Sequence, residues 1–310
     1  MSYSCTVVKD DARGGMDKVV LAKGDGSESR VEIYLFGATV TSWVSSSVER
    51  LFVGEKAVWN GEKAIRGGIP VVFPQFGQPD TTLAQHGFAR TSFWDWSCSC
   101  GESDSGKVVF TLTDSVATQR VWPHAFKLFF TVELTSTSLR CHLLVRNPEG
   151  NAGSFPCQAL LHTYVRLPHD ISDLRVQGFQ GHRYVDKMAA GEVRDEISEL
   201  VTVDCETDRI YLSSSTAEIP DLTLLSKGSP FMTVAKKAAI SELEDGKSCQ
   251  PLAADVVLWN AWVDKSAALP DLGSGAYKSY VCVEPGVVSD RVEVPSGAAL
   301  SLETTLTVLS

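Results

Sequence analysis

The chain has 310 residues, 44% of them hydrophobic and 21% charged, a composition that folds into a globular core and excludes wholesale disorder. A formal net charge of −10 and a pI near 5.1 argue against nucleic acid and anionic membrane as partners, because these are held by clustered Lys and Arg, which the sequence lacks. No apolar run approaches the ~18 residues that span a bilayer, and the polar N-terminus MSYSCTVVKDDARGG carries no basic segment followed by an apolar one. A soluble, cytoplasmic protein is therefore expected. Its eight cysteines (5, 98, 100, 141, 157, 205, 249, 282) are dispersed, as reduced thiols are. Cys98 and Cys100 form the one close pair, with no second pair at metal-ligand spacing, so no metal site is expected.

In chain order the dominant periodicity is two. KVVLA (18–22) and RVEIYLFG (30–37) read as strands. In IRGGIPVVFPQFGQ (65–78) the Gly67-Gly68 pair lacks the lysine of a phosphate-cradling loop and reads as a tight turn into a buried strand. LAQHGFARTSFWDW (83–96) then sets His86 and Arg90 among Phe88, Phe93, Trp94 and Trp96. A core gains nothing by burying the two polar groups unpaired, whereas a sugar site would use both, with rings stacked on the apolar face of a pyranose. KVVFTLT (107–113), AFKLFFTVEL (125–134) and LRCHLLVR (139–146) are further strands, the last two alternating cleanly between apolar and polar.

ALLHTYVRL (159–167) places Leu160, His162, Tyr164 and Arg166 on one face. A lone strand histidine is often a satisfied core residue, but a face with His, Tyr and Arg is too polar for a core and reads as the floor of a cleft. Asp208 in DRIYL (208–212) is either a turn residue or an acceptor for sugar hydroxyls. Trp259 and Trp262 in LWNAW suit ring stacking or core packing equally. NAWVDKSAALPDLGSGAY is broken by Pro270, Gly273 and Gly275, and no long amphipathic helix stands out. Glu284 ends the apolar strand of SYVCVE before Pro285-Gly286. It is either a solvated strand end or, if partly desolvated, a base near neutral pH. ALSLETTLTVL (299–309) closes the series. His124, His142, His169 and His182 are expected to be structural. Many short strands without interleaved helices point to an all-β, antiparallel sandwich or barrel, and no repeat, linker or composition shift divides residues 1–310, so one domain is expected.

The segments IRGGIPVVFPQFGQ, HGFAR, WPHAFKL, LLHTYVRL, DRIYL and WNAWVDKSAALPDLGSGAYKSYVCVEPG, in that order, resemble the hexose-6-phosphate mutarotases of the aldose 1-epimerase superfamily. The long last segment is the most specific, and HGFAR is shared across the superfamily. The resemblance implies a large antiparallel β-sandwich of the galactose mutarotase-like type, no metal or organic cofactor, and a hexose 6-phosphate as the small-molecule partner. It implies His162 as general acid at the ring oxygen and Glu284 as general base at the C1 hydroxyl. Arg66, His86 and Asp208 then fall at positions that hold the sugar or the neighbouring catalytic group, Gln75 joins them as substrate-binding, and Arg90 falls on the phosphate side. The chain departs from the pattern at Ala261, where proline is expected, and in ALPDLG.

Anomer interconversion deprotonates O1 while protonating O5, opens the ring, rotates about C1–C2 and recloses with the roles reversed, which one carboxylate and one imidazole can serve. A phosphate near a protein of net charge −10 calls for arginines; Arg66 and Arg90 are expected at the cleft, with Arg166 as a further candidate. A mutarotase of unphosphorylated aldoses and a non-catalytic carbohydrate-binding sandwich remain the alternatives. A monomer is expected.

Overall fold

The computed structural model describes residues 2–99, 104–242 and 249–309, so Cys100, half of the close cysteine pair, lies outside the described residues. Three sheets form, and every strand pairing within them is antiparallel. A five-stranded sheet runs from Tyr3–Asp10 through Met16–Lys23, Ser29–Tyr34 and Val40–Ser45 to Val48–Glu49. A ten-stranded sheet is centred on Ser229–Glu242 and Ala298–Val308, with Ser138–Arg146, Lys127–Leu134, Gly106–Thr113 and Asp95–Ser99 continuing on one side. An eight-stranded sheet orders Glu192–Asp195, Arg183–Asp186, Thr207–Tyr211, Asp255–Asn260, Tyr280–Val294, Phe155–Leu161 and Val71–Val72, and Tyr164–Arg166 also pairs with Tyr280–Val294.

Alternation dictates which side chains enter the core. In Lys127–Leu134 the residues Leu128, Phe130, Val132 and Leu134 are fully buried while the intervening ones are not, and Ser138–Arg146 matches it with Leu139, Cys141, Leu143 and Val145. These side chains pack with Leu161, Val256, Leu258, Val281 and Val283 of the eight-stranded sheet and with Val19, Leu21 and Val31 of the five-stranded one into a single hydrophobic cluster. Each such large apolar side chain contributes about 1.5–3 kcal/mol on leaving water.

The central strands of the eight-stranded sheet, Asp255–Asn260 and the first part of Tyr280–Val294, are buried on both faces, and this positions the site. Val281 and Val283 point to the main core, so period two sends Cys282 and Glu284 to the other face, where Phe52, Phe76, Tyr164, Val257, Trp259 and Tyr280 form a second apolar cluster around Cys282. Such strands carry no polar alternation to read. Asp255–Asn260 is buried at every position and is absent from the expected strands for that reason. Ser229–Glu242 was also missed, because Lys236, which belongs to the inward set, is itself buried and donates to the Ile219 carbonyl.

Candidate active site

The cavity is built on that second face. Asp208 lies opposite Trp259, Trp259 opposite Cys282 and Cys282 opposite Tyr164 in adjoining strands, and Ile210, Val257 and Glu284 form the next row. Paired residues share a face, so strands distant in sequence deliver Asp208, Trp259, Glu284 and Tyr164 to one floor. His162 follows strand Phe155–Leu161 and lies with its ring stacked on that of Tyr164, centroids 4.7 Å apart at 8°.

The His162 Nδ1 and Glu284 Oε1 atoms are 3.3 Å apart. His162 Nδ1 and Glu284 Oε2 are both buried with no hydrogen-bond partner among the described residues. Burial raises the Glu284 carboxyl well above its ordinary range, and the nearby Asp208 charge adds to this. Burial likewise holds the His162 imidazole well below its ordinary value, with His86 and Arg90 acting in the same direction. Both shifts disfavour the charged form, so burial favours a neutral carboxyl beside a neutral imidazole. At 3.3 Å the two groups are close enough to pass a proton between them.

His86 reaches the cavity from the loop of residues 73–88. Its Nδ1 accepts from the Gly77 N–H at 3.1 Å, which leaves the proton of the neutral ring on Nε2 as a donor. Its ring meets that of His162 edge-on at 5.7 Å. His86 and Gly87 both adopt the left-handed conformation, at φ 64 and 70, and a Cβ on Gly87 would stand 2.1 Å from the Phe73 carbonyl oxygen. HGFAR therefore needs its glycine to present its histidine.

Among the remaining expected residues, Arg66 lines the cavity and is held in a fork by the buried Asp271, Nε to Oδ1 at 3.2 Å and Nη2 to Oδ2 at 3.4 Å, with Nη1 3.4 Å from the Tyr164 hydroxyl. Asp208 lines it too, 3.4 Å from Lys187 Nζ, and burial raises its carboxyl. Arg90 is not on the cavity wall. It lies in an adjoining depression of about 310 Å³ with Lys63, Arg66 and Gln85, where its Nη2 donates to the Gln85 carbonyl at 2.7 Å and no carboxylate pairs with it among the described residues. Burial, and then the Arg66 charge, push its guanidinium down to about 10.

Gln75 is fully buried off the cavity. Its amide donates to the Asp80 and Ala84 carbonyls and accepts from the Asp80 N–H, so its hydrogen-bonding atoms are spent bracing the His86 loop. Arg166 turns away as well, its Nε donating to the Leu51 carbonyl and its guanidinium resting over Phe52. The aromatic rings around His86 do not line the cavity: Phe88, Trp94 and Trp96 pack in or against the main core, and Phe93 is exposed over Phe36. The rings at the cavity are Phe76 and Trp259. Trp262 packs on Tyr277 instead. His142 and His169 bond to Ser301 and Ser226, and His124 packs on Trp122.

Sequence reasoning missed Lys187, Lys265 and Asp271. The lysines come from loop and helix positions with no periodic signal, while Asp271 sits in the divergent ALPDLG. That stretch follows a seven-residue helix, Trp262–Ala268, which ends ahead of Pro270. At its start Ala261 keeps φ at −69, close to the angle proline would impose, and its N–H donates to the Tyr280 hydroxyl at 3.3 Å, a bond proline could not make. Asn260 secures the same corner through the Tyr277 and Tyr280 carbonyls.

The cavity, about 190 Å³, is thus walled by an imidazole–carboxylate pair, a second histidine, a carboxylate, two rings and several cations, the donor set for a polyhydroxylated molecule. His162, Glu284 and Cys282 are also the one group of metal-ligand types found close together among the described residues. Residues 17–307 match the profile of the family described as aldose 1-epimerase. The chain belongs to the aldose 1-epimerase family. It is an isomerase of the epimerase class, and its fold is the galactose mutarotase-like β-sandwich. The protein named "Putative glucose-6-phosphate 1-epimerase" in Cenchrus ciliaris is 31% identical over 290 residues, covering 91% of this chain and 82% of that one. A protein of the same name in Escherichia coli K12 is 27% identical over 285 residues, covering 91% and 88%. Among aldose 1-epimerase-like folds, a "putative mutarotase" from Salmonella typhimurium superposes with a TM-score of 0.77 at 23% identity, over 100% of this chain and 94% of that one. Galactose 1-epimerase from Lactobacillus acidophilus gives 0.67 at 13%, over 99% of both; these two likenesses are of fold.

Proposed function

We propose that this epimerase interconverts the α and β anomers of glucose 6-phosphate and related hexose 6-phosphates. The observation that carries the phosphate is Arg90, a half-buried guanidinium with no carboxylate partner among the described residues, grouped with Lys63 and Arg66 in a depression that shares Arg66 and Gln85 with the acid–base cavity. A site for a neutral sugar has no use for that uncompensated charge, and its desolvation is offset once a dianion accepts its bonds.

In this reading the pyranose lies against Trp259 and Phe76, and the pair His162 and Glu284 carries one proton between them. The Glu284 carboxyl passes its proton to His162 Nδ1 as His162 gives one to O5 from its other ring nitrogen, and the carboxylate so formed takes the O1 proton; the ring opens, C1 turns, and the transfers reverse. Burial makes either charged member costly alone, so the net-neutral pair is the resting state, and the product leaves it with the proton count it began with. Each well-placed group supplies about 10²- to 10⁴-fold. His86, donating from Nε2, and Asp208, accepting, orient the hydroxyls. Gln75 acts on the substrate only by shaping the loop that presents His86. All these groups come from one chain, so a monomer suffices, and we take residues 1–310 as one domain. The test is two-dimensional NMR exchange between the anomers at equilibrium, with glucose 6-phosphate and free glucose side by side. Acceleration of the phosphate in preference to glucose is expected; equal acceleration of both would reassign the enzyme to unphosphorylated aldoses.

A further inference from the structure

We propose that His162, Glu284 and Cys282 form a site for a soft divalent cation of the zinc class, and that its occupation shuts the acid–base pair down. The three residues are buried, and their ligand atoms all lie within 4.8 Å of one another. A zinc ion with bonds of about 2.0 to 2.3 Å holds its ligands about 3.3 to 3.8 Å apart. The His162–Glu284 separation of 3.3 Å already meets this, and small side-chain rotations close the remainder. Independently of that clustering, His162 Nδ1 and Glu284 Oε2 are buried without hydrogen-bond partners among the described residues, so two of the three ligands have acceptor capacity that the fold leaves unused.

The donor set decides the class of ion. One imidazole, one thiol and one carboxylate, with the cavity on the open side, suit a borderline-soft ion that takes four ligands, and they are too few and too soft for calcium or magnesium. Cys282 is the informative member. It lies two residues before Glu284 on the same strand face, between Trp259 and Tyr164 in register, and it has no part in the proton transfers. Binding replaces the thiol S–H by a metal–sulfur bond and sends that proton, with any proton shared by the His–Glu pair, to solvent; nothing is oxidised or reduced. The imidazole lone pair and the carboxylate are then given to the cation, so neither can receive the O1 proton. Arg66 and Lys187 on the same cavity wall repel a cation, which makes the site one for reversible inhibition and not for a resident ion.

The inhibition rests on the acid–base reading above, whereas the cation site itself does not, and the experiment separates them. The full-length reduced protein is titrated with cobalt(II). A near-ultraviolet thiolate-to-cobalt charge-transfer band is expected in the wild type and is expected to disappear in Cys282→Ala, with Cys282→Ser as a second variant should alanine unfold the chain. In the anomer-exchange assay with graded zinc, either variant should keep the basal rate and lose sensitivity to zinc by roughly tenfold or more, the loss that removal of even a supporting group inflicts on a metal site. A band that persists in the variants, no band in the wild type, or equal zinc sensitivity would overturn the proposal. No anomer exchange by the wild type would refute the proposed function while the cobalt titration still decides the cation site.

Discussion

Replacing Glu284 by glutamine should remove the activity and raise the stability, by an amount that grows with pH. Glu284 is 1% exposed, and Gln has nearly its shape, so packing is preserved and the change is one of proton affinity. Because burial raises the folded-state pKa well above the ordinary 4.5, the fold holds a proton that the unfolded chain has already released. Wild-type stability relative to the variant therefore falls as pH rises from about 4.5 toward the folded pKa, by about 1.4 kcal/mol per pH unit. At about 2.1 cal/mol/K per residue over 310 residues, this is about 2 °C of Tm per pH unit. Below pH 4.5 the two proteins should melt together; above it the variant's lead should widen with each step in pH until the folded pKa is passed. Calorimetry at half-unit steps from pH 4 to 8, paired with NMR anomer exchange, reads both effects. A Tm difference that is flat in pH would refute the raised carboxyl, and an exchange rate within tenfold of wild type would refute Glu284 as the base.

Further outcomes follow from the same geometry. Arg90→Ala should raise KM for glucose 6-phosphate about 10- to 100-fold, the worth of one charge-assisted hydrogen bond, and leave free glucose nearly unchanged; an equal effect on both sugars would take Arg90 out of the phosphate role. The pH profile of kcat/KM should be a bell whose limbs belong to the His162–Glu284 pair jointly, the acid limb marking a second proton on the pair and the alkaline limb the loss of its only one; in His162→Gln, whose residual rate is about 10²- to 10⁴-fold lower, the bell should collapse. Gly87→Ala forces a methyl against the Phe73 carbonyl oxygen and should lower kcat by displacing His86 even where circular dichroism shows a folded chain; unchanged kinetics would mean that the loop adapts freely. Phe130→Ala, in the centre of the main cluster, should cost about 3–5 kcal/mol in denaturant titration without altering KM in the protein that remains folded.

Local pattern made part of this molecule legible. Period-two alternation marked the strands at 125–134 and 139–146, each with one face in the core and the other at least partly in contact with water; of the polar set His162, Tyr164 and Arg166, expected on one strand face, only His162 lines the cavity, because the strand breaks at it, Tyr164 packs in the second apolar cluster and Arg166 turns to the Leu51 carbonyl. Where a sheet is covered on both sides, as at Asp255–Asn260, that signal vanishes. The environment of a side chain was likewise beyond local pattern. Gln75 and Arg90 lie in equally suggestive motifs, yet long-range contacts turn one inward to brace a loop and leave the other facing a depression.

The sequence by itself determined an antiparallel β fold and supplied an imidazole and a carboxyl of the kind that acid–base chemistry uses, because alternation and chemical identity are properties of single segments. Only the tertiary structure decided that His162 and Glu284, 122 positions apart in the chain, share a buried site with Cys282 beside them, that Asp271 grips Arg66, and that Trp259, not the rings around His86, lines the cavity. Strand register and loop closure set those distances, and burial, which raises the carboxyl and lowers the imidazole, exists only once the sheets have packed.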